Sequence, residues 1–179
     1  MKNLILILTL FFSLLLTNCI QGQNKVDYPF EVFSEITLND KLSIVELSNT
    51  NLSSENLTTY LGTPNNEECI DFTAYSRCTL FYDGLILKYT DRYGSFDFDS
   101  ARLTNSIPKI SYEGTNIKVG DNITLLSSIF QEAYHQRGTN ADEDHSVRLG
   151  LIDTSLVLEF IYNVSSDLIT EINIRQSNI

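Results

Sequence analysis

The chain has 179 residues and a formal charge of −11, from 12 Lys and Arg against 23 Asp and Glu. That sign argues against a groove for DNA or RNA backbones and against a cationic amphipathic helix on an anionic membrane. With 42% apolar residues, 20% charged residues and only 3 Pro, the composition is globular and the length suits one domain or two small, similar halves.

Lys2 is the only charge before an apolar run of 13 residues from Leu4 to Leu16, broken by Thr9 and Ser13. The run is too short to span a bilayer as a helix, which takes roughly 20 residues. It matches the core of a signal peptide, and export is the expectation. Two ends of the leader fit. Leu16-Thr17-Asn18-Cys19 resembles the lipobox of bacterial lipoproteins, in which Cys19 is lipidated and becomes the new N-terminus, although Asn18 stands where a small residue is usual. Ordinary cleavage after Gly22 is the rival. In the lipoprotein case residues 1–18 are the leader and the mature chain has 179 − 18 = 161 residues; losing Lys2 leaves 11 − 23 = −12 in charge.

Residues 19–35 read as a linker and strand, with Phe30-Glu31-Val32-Phe33 as the strand. A first unit, 36–106, follows. Ser53 or Ser54 can cap a short helix, Glu55 to Leu61, with Leu57, Tyr60 and Leu61 on one side. Gly62-Thr63-Pro64 stops it. After an acidic loop, Asn65-Asn66-Glu67-Glu68, comes Leu80-Phe81-Tyr82-Asp83-Gly84-Leu85-Ile86-Leu87. An Asp-Gly pair between apolar alternations predicts a two-residue type I′ hairpin. Pairing across it places Tyr82 opposite Leu85, Leu80 opposite Leu87 and Cys78 opposite Tyr89, all on one core face. Phe81 and Ile86 fall on the other face, with Thr79 and Lys88.

Cys69 and Cys78 are an even pair in an exported chain, so a disulfide is expected. With eight residues between them, the bridge would contribute about 2–3 kcal/mol. Neither Cys-x-x-Cys spacing nor neighbouring His supports zinc or redox chemistry there.

The second unit, 107–179, repeats the grammar. Asp121 caps a longer amphipathic helix, roughly Asn122 to Arg137, with Leu125, Leu126, Ile129, Phe130, Ala133 and Tyr134 at helical spacing. Gly138-Thr139 ends it as Gly62-Thr63 ends the first. The acidic run Asn140-Ala141-Asp142-Glu143-Asp144 precedes Val147, Leu149 and Leu151. A turn with Thr154-Ser155 at its tip sets Leu151 opposite Leu158 and Leu149 opposite Phe160. A last strand alternates through Leu168, Thr170, Ile172 and Ile174. The expected fold class is therefore α+β: two tandem helix-plus-antiparallel-sheet units packed together.

Helix, Gly-terminated turn, acidic loop, hairpin and strand, in units of about seventy residues, resemble the tandem repeat of beta-lactamase-inhibitor proteins. They are also similar to the single-unit fold of the small outer-membrane assembly lipoproteins. Ile117-Lys118-Val119-Gly120-Asp121 fits the short strand and turn that introduce the helix in such domains. The resemblance covers about Ile36 to Ile174. It implies a protein-binding role and, for the assembly lipoproteins, a lipid-anchored place in the envelope. No inhibitor contact residue carries over.

Chemistry-bearing motifs are scarce. There are two His, His135 on the helix and His145 closing Asp142-Glu143-Asp144-His145. That acidic run lacks the alternating ligands and Gly of a calcium loop, and reads as a solvated loop with no metal. No Gly-x-Ser-x-Gly elbow, placed carboxylate pair or phosphate-cradling Gly loop is found. No catalytic residue and no cofactor is assigned, and the protein reads as a non-enzyme. The sequons at Asn51, Asn56, Asn122 and Asn163 carry no information in a bacterial chain.

The stronger feature is aromatic: 9 Tyr and 10 Phe. Thr90-Asp91-Arg92-Tyr93-Gly94-Ser95-Phe96-Asp97-Phe98-Asp99 interleaves rings with acids. Phe81, Ile86, Tyr93, Phe96, Phe98, Asp97 and Asp99 are the candidate partner-binding residues, since interfaces favour aromatic anchors in a polar rim. In the competing reading, Phe96 and Phe98 are inward-facing strand residues and Phe81 is covered by the N-terminal strand. The leading functional reading is a bacterial cell-envelope protein that binds a protein partner, inhibitor-like or immunity-like. Its charge favours a basic partner, it touches membrane only through a lipid anchor, and it binds no nucleic acid. The alternatives are a structural or assembly lipoprotein of the outer membrane, and a small-ligand binder or hydrolase with a pocket between the halves.

Overall fold

The computed structural model describes residues 25–48, 54–137 and 145–176. The leader, Cys19, Ser53, the Gly138-Thr139 pair and the acidic run 140–144 lie outside the described residues.

Among the described residues, twelve strands form two sheets. The chain opens with β1 (Val26–Tyr28), α1 (Phe30–Glu35), β2 (Thr37–Leu38), β3 (Leu42–Ser43) and the single turn α2 (Ile44–Leu47). Ser43 and Glu46 close a capping box at the start of α2, which satisfies amides that a helix this short leaves unpaired. After α3 (Ser54–Leu61) come β4 (Asn66–Asp71), β5 (Ser76–Tyr82), β6 (Leu85–Arg92) and β7 (Ser95–Leu103). The second half runs β8 (Ile110–Tyr112), β9 (Thr115–Ile117), a 3₁₀ turn (Ile123–Leu125), α4 (Leu126–Ile129), α5 (Gln131–His135), β10 (Ser146–Leu151), β11 (Leu156–Asn163) and β12 (Leu168–Gln176).

The expected pair of helix-plus-sheet units is corrected by the strand order. One eight-stranded sheet runs β1-β10-β11-β12-β7-β6-β5-β4, and a four-stranded sheet runs β3-β2-β8-β9. Both sheets take strands from both halves of the chain. β12 pairs antiparallel with β7, and β2 with β8. Only β1 against β10 is parallel, so the large sheet is mixed. Strand dominates, and the helices are short covers on the sheets. Helix and hairpin periods are local properties of a segment, whereas which strand a sheet edge pairs with is a tertiary choice that periodicity does not encode.

One core cluster serves the whole molecule. Leu80, Leu87 and Leu103 from the first half and Leu149, Phe160 and Ile172 from the second lie in it, with Phe33, Ile44, Leu57 and Leu126 from the helices. Every buried apolar side chain of the helices belongs to this cluster. The helices therefore sit on one face of the large sheet, called the inner face below.

Several local expectations change. The first hairpin has the predicted register, Tyr82↔Leu85, Leu80↔Leu87 and Cys78↔Tyr89. Its turn needs Gly84, which takes φ +75 with the Asn105 side chain against it, but Asp83 is not at positive φ, so the turn is not the type I′ expected. Phe30-Glu31-Val32-Phe33 is helical in α1, not a strand; Pro29 stands at its N-cap, and Phe33 is fully buried on the inner face. The long helix expected over 122–137 is broken at Phe130 (φ −128, ψ 54), between α4 and α5. Its ring is held by Tyr112, stacked at 4.9 Å, and by Tyr28, edge-on at 5.9 Å. The cap is Asn122, whose side chain accepts from the Thr124 amide at 2.9 Å, while Asp121 accepts from the Lys118 amide. In the second hairpin Leu149 faces Leu158 and Val147 faces Phe160, a register two residues from the predicted one. A shift of two keeps every side chain on its own face, so the core is unchanged. In β12 the pairing shifts at Thr170, which turns Ile169 inward and leaves Leu168 exposed.

Candidate functional site

Because strand side chains alternate, each strand that buries one residue on the inner face presents its neighbour on the other. The pairings of the large sheet set these outward residues in continuous rows. One row runs Asn66, Phe81, Ile86, Arg102, Asn173, Glu159, Arg148 across β4 to β10. The next runs Glu68, Thr79, Lys88, Ser100, Arg175, Val157, Gly150, Asp27 across all eight strands. Ile161 and Glu171 stand opposite each other in a third. Phe81, Ile86, Val157 and Ile161 do not belong to the core cluster. Among the described residues, no helix packs its buried side chains on this face. We call it the open face.

The face is graded from apolar to ionic. Phe81 and Ile86, directly paired and half-buried, form its apolar end. At the other end Glu159 is buried between two guanidinium groups. Arg148 Nε donates to Glu159 Oε1, and Arg175 Nε lies 3.4 Å from Oε2. Beside them Arg102 Nη1 is 3.8 Å from Glu171 Oε2, and Asn173 donates to Glu171 Oε1 at 2.9 Å. Two guanidiniums on one carboxylate leave a positive excess, to which exposed Lys88 adds. The centre of the face is thus cationic in a chain of charge −11. Gly150 leaves room over the rim strand for Lys25 and Asp27, ion-paired at 2.8 Å.

The sequence-derived candidates divide between the two faces. Phe81 and Ile86 are on the open face. Asp97 stands opposite Thr90 there and pairs with Arg92 Nε at 3.2 Å, and Asp99 accepts from the Thr90 hydroxyl at 3.2 Å. Phe98 is buried in the core, and Phe96 stacks on Tyr89 at 4.4 Å on the inner face. Tyr93, at the hairpin tip with φ 57, is 90% exposed. Arg102, Arg148, Glu159, Glu171, Asn173 and Arg175 were missed by reading only the apolar half of each strand. Their signal is the polar half of the same alternation, Arg148 between Val147 and Leu149 and Glu159 between Leu158 and Phe160.

Cys69 and Cys78 form a disulfide between directly opposed residues of β4 and β5. Their sulfurs lie near the Glu67 carboxylate. Sulfurs joined in a disulfide are not thiolate ligands, which leaves Glu67 as the one ionic donor of that group. Glu67 accepts from the Tyr89 hydroxyl at 2.9 Å. Burial first, then this bond, raises the Tyr89 hydroxyl well above the ordinary phenol range. His135 lies in α5 and His145 just before β10. Among the described residues, no helix is long and apolar enough to cross a membrane.

No family model matches the chain, and no curated protein matches it. Among solved structures it is similar to a cysteine-rich secretory protein from Staphylococcus aureus subsp. aureus Mu50, with TM-score 0.39 and 10% identity. That alignment covers 74% of this chain and 46% of the other. It is also similar to an extracellular protein containing a SCP domain from Bacillus anthracis str. Ames, with TM-score 0.36 and 11% identity over 72% of this chain and 46% of that one. The chain spans less than half the length of either. Likeness at this level carries neither fold nor function over.

Proposed function

We propose that the protein is exported to the bacterial cell envelope and binds another protein through the open face of its large sheet, with no chemistry of its own. The observation that supports this is the row from Phe81 and Ile86 to Arg102, Glu159 and Arg148. It joins an apolar end, outside the core, to arginines fixed by carboxylates. Apolar anchors and arginine beside a polar rim are what protein interfaces use. Arginines already oriented by Glu159 and Glu171 lose little freedom when a partner arrives. A disulfide agrees with an oxidising compartment. Cys19 would supply the lipid anchor if the leader ends at the lipobox.

The partner presents acidic groups to the cationic centre of the face, around Lys88, Arg102 and Arg175, and because these attractions are between charges the complex weakens with salt. Once docked, that partner meets a face of both signs. Ile86→Asp and Arg102→Glu test the reading, because Ile86 is only half-buried, Arg102 is exposed and neither belongs to the core. Each should weaken the complex by about tenfold or more with the fold intact. Full affinity in both variants would refute the open face as the binding surface.

A further inference from the structure

The large sheet ends in β4, and nothing among the described residues pairs with its outer edge. All six residues, Asn66 to Asp71, are exposed, including Ile70 at 65%, and Phe72 just beyond is 46% exposed. The direction of its main-chain groups follows from the ladder. The Phe72 amide donates to the Tyr75 carbonyl at 2.8 Å, which makes that pair a hydrogen-bonded one. Such pairs alternate with non-bonded ones in antiparallel sheets, and the 4.1 Å Cα separation of Cys69 and Cys78 is that of a non-bonded pair. Glu67, Cys69 and Asp71 therefore turn their N–H and C=O groups away from β5, toward the free edge.

Proteins usually close such an edge with Pro, Lys, a bulge or a very short strand. β4 has none of these. It carries three acids, Glu67, Glu68 and Asp71. A second copy laid edge to edge would bring like charges together, which disfavours self-pairing. The disulfide ties β4 to β5, so the edge is extended before any partner arrives.

We infer that the free edge of β4 takes a basic, extended segment of a protein partner as an added strand. Main-chain bonds to Glu67, Cys69 and Asp71 hold it, cations of the segment face Glu67 and Asp71 on one side, and its apolar residues cover Ile70 on the other. This rests on the reading that the protein binds another protein, but the edge and the open face are separate surfaces and can fail separately.

The probes are two short capped peptides, one alternating lysine with valine and one alternating glutamate with valine. Each is titrated into the disulfide-intact protein by fluorescence anisotropy, with amide exchange followed by NMR. The lysine peptide should bind, weaken with salt, and slow exchange at Glu67, Cys69 and Asp71. Asp71→Pro removes one outward donor and should weaken binding about three- to tenfold. Asp71→Lys, which keeps the main-chain donor, should weaken the lysine peptide by about threefold and favour the glutamate peptide. Arg102→Glu should change neither. The inference is overturned if those three amides gain no protection, if both peptides bind alike, or if neither edge variant alters binding. The open-face reading stands or falls on Ile86→Asp and Arg102→Glu with the native partner.

Discussion

Arg102 stands directly opposite Asn173, and at that pairing the two halves of the chain become one sheet. On the inner side of the same seam Ala101 faces Ile174 and Leu103 faces Ile172, all fully buried. A core continuous across the seam should unfold as one cooperative unit. Ile174→Ala should cost about 2–5 kcal/mol and shift a single transition, read alike by far-ultraviolet dichroism and by calorimetry. Two separate transitions, only one of them moved, would mean the halves fold independently.

Glu159 is the most deeply buried carboxylate described, and two guanidiniums depend on it. Glu159→Ala should destabilise by about 2–4 kcal/mol, because it leaves Arg148 and Arg175 side by side without a counter-charge. Adding Arg148→Ala to that variant should recover part of the loss, as coupled neighbours do. Chemical denaturation of Glu159→Ala, Arg148→Ala and the double variant provides the check, and simple additivity would show that the pair is not coupled.

The disulfide closes a loop with a sequence separation of 9. A loop of that size should contribute about 2 kcal/mol by limiting the unfolded chain. Replacing Cys69 and Cys78 together by Ser should lower the denaturation midpoint accordingly. The wild-type protein should show a native mass short of the reduced one by two hydrogens. Two free thiols in protein purified from its native compartment would contradict the export argument.

Burial raises the hydroxyl pKa values of Tyr82 and Tyr89, and Glu67 adds to both shifts. Each group holds its proton more tightly in the folded state than in the unfolded one. The stability this contributes is complete below the ordinary phenol value of about 10, and it is lost as the pH rises beyond that toward the folded values. Stability should therefore decline from about pH 10 upward, with late tyrosinate absorbance. Tyr89→Phe should flatten that decline. An unchanged alkaline slope would show that Tyr89 does not carry it.

What the sequence reveals and conceals divides along physical lines. The Asp83-Gly84 turn is legible because Gly84 takes the positive φ that favours glycine, and a two-residue loop there fixes the register from Cys78 to Tyr89 without tertiary help. Residues 96–103 alternate poorly because they hold a bulge: Tyr89 pairs with Phe98 and Lys88 with Ser100, so Asp99 is the extra residue, which a break in alternation alone does not identify. The helix break at Phe130 is set by Tyr112 and Tyr28, which are distant in sequence. For the site, Phe81 and Ile86 are legible from the hairpin, but the row that continues to Arg148 requires the β7–β12 seam.

The central claim is that the open face meets a protein. The most direct measurement places a photo-crosslinking amino acid at Ile86, Lys88 or Arg102 in cells that make the protein natively, with Ile107 and Val164, both exposed and off that face, as controls. The account predicts one discrete protein adduct from the three face positions, absent in the controls and, at Ile86 and Lys88, reduced by Arg102→Glu. Adducts from Ile107 or Val164 with none from the face would contradict it.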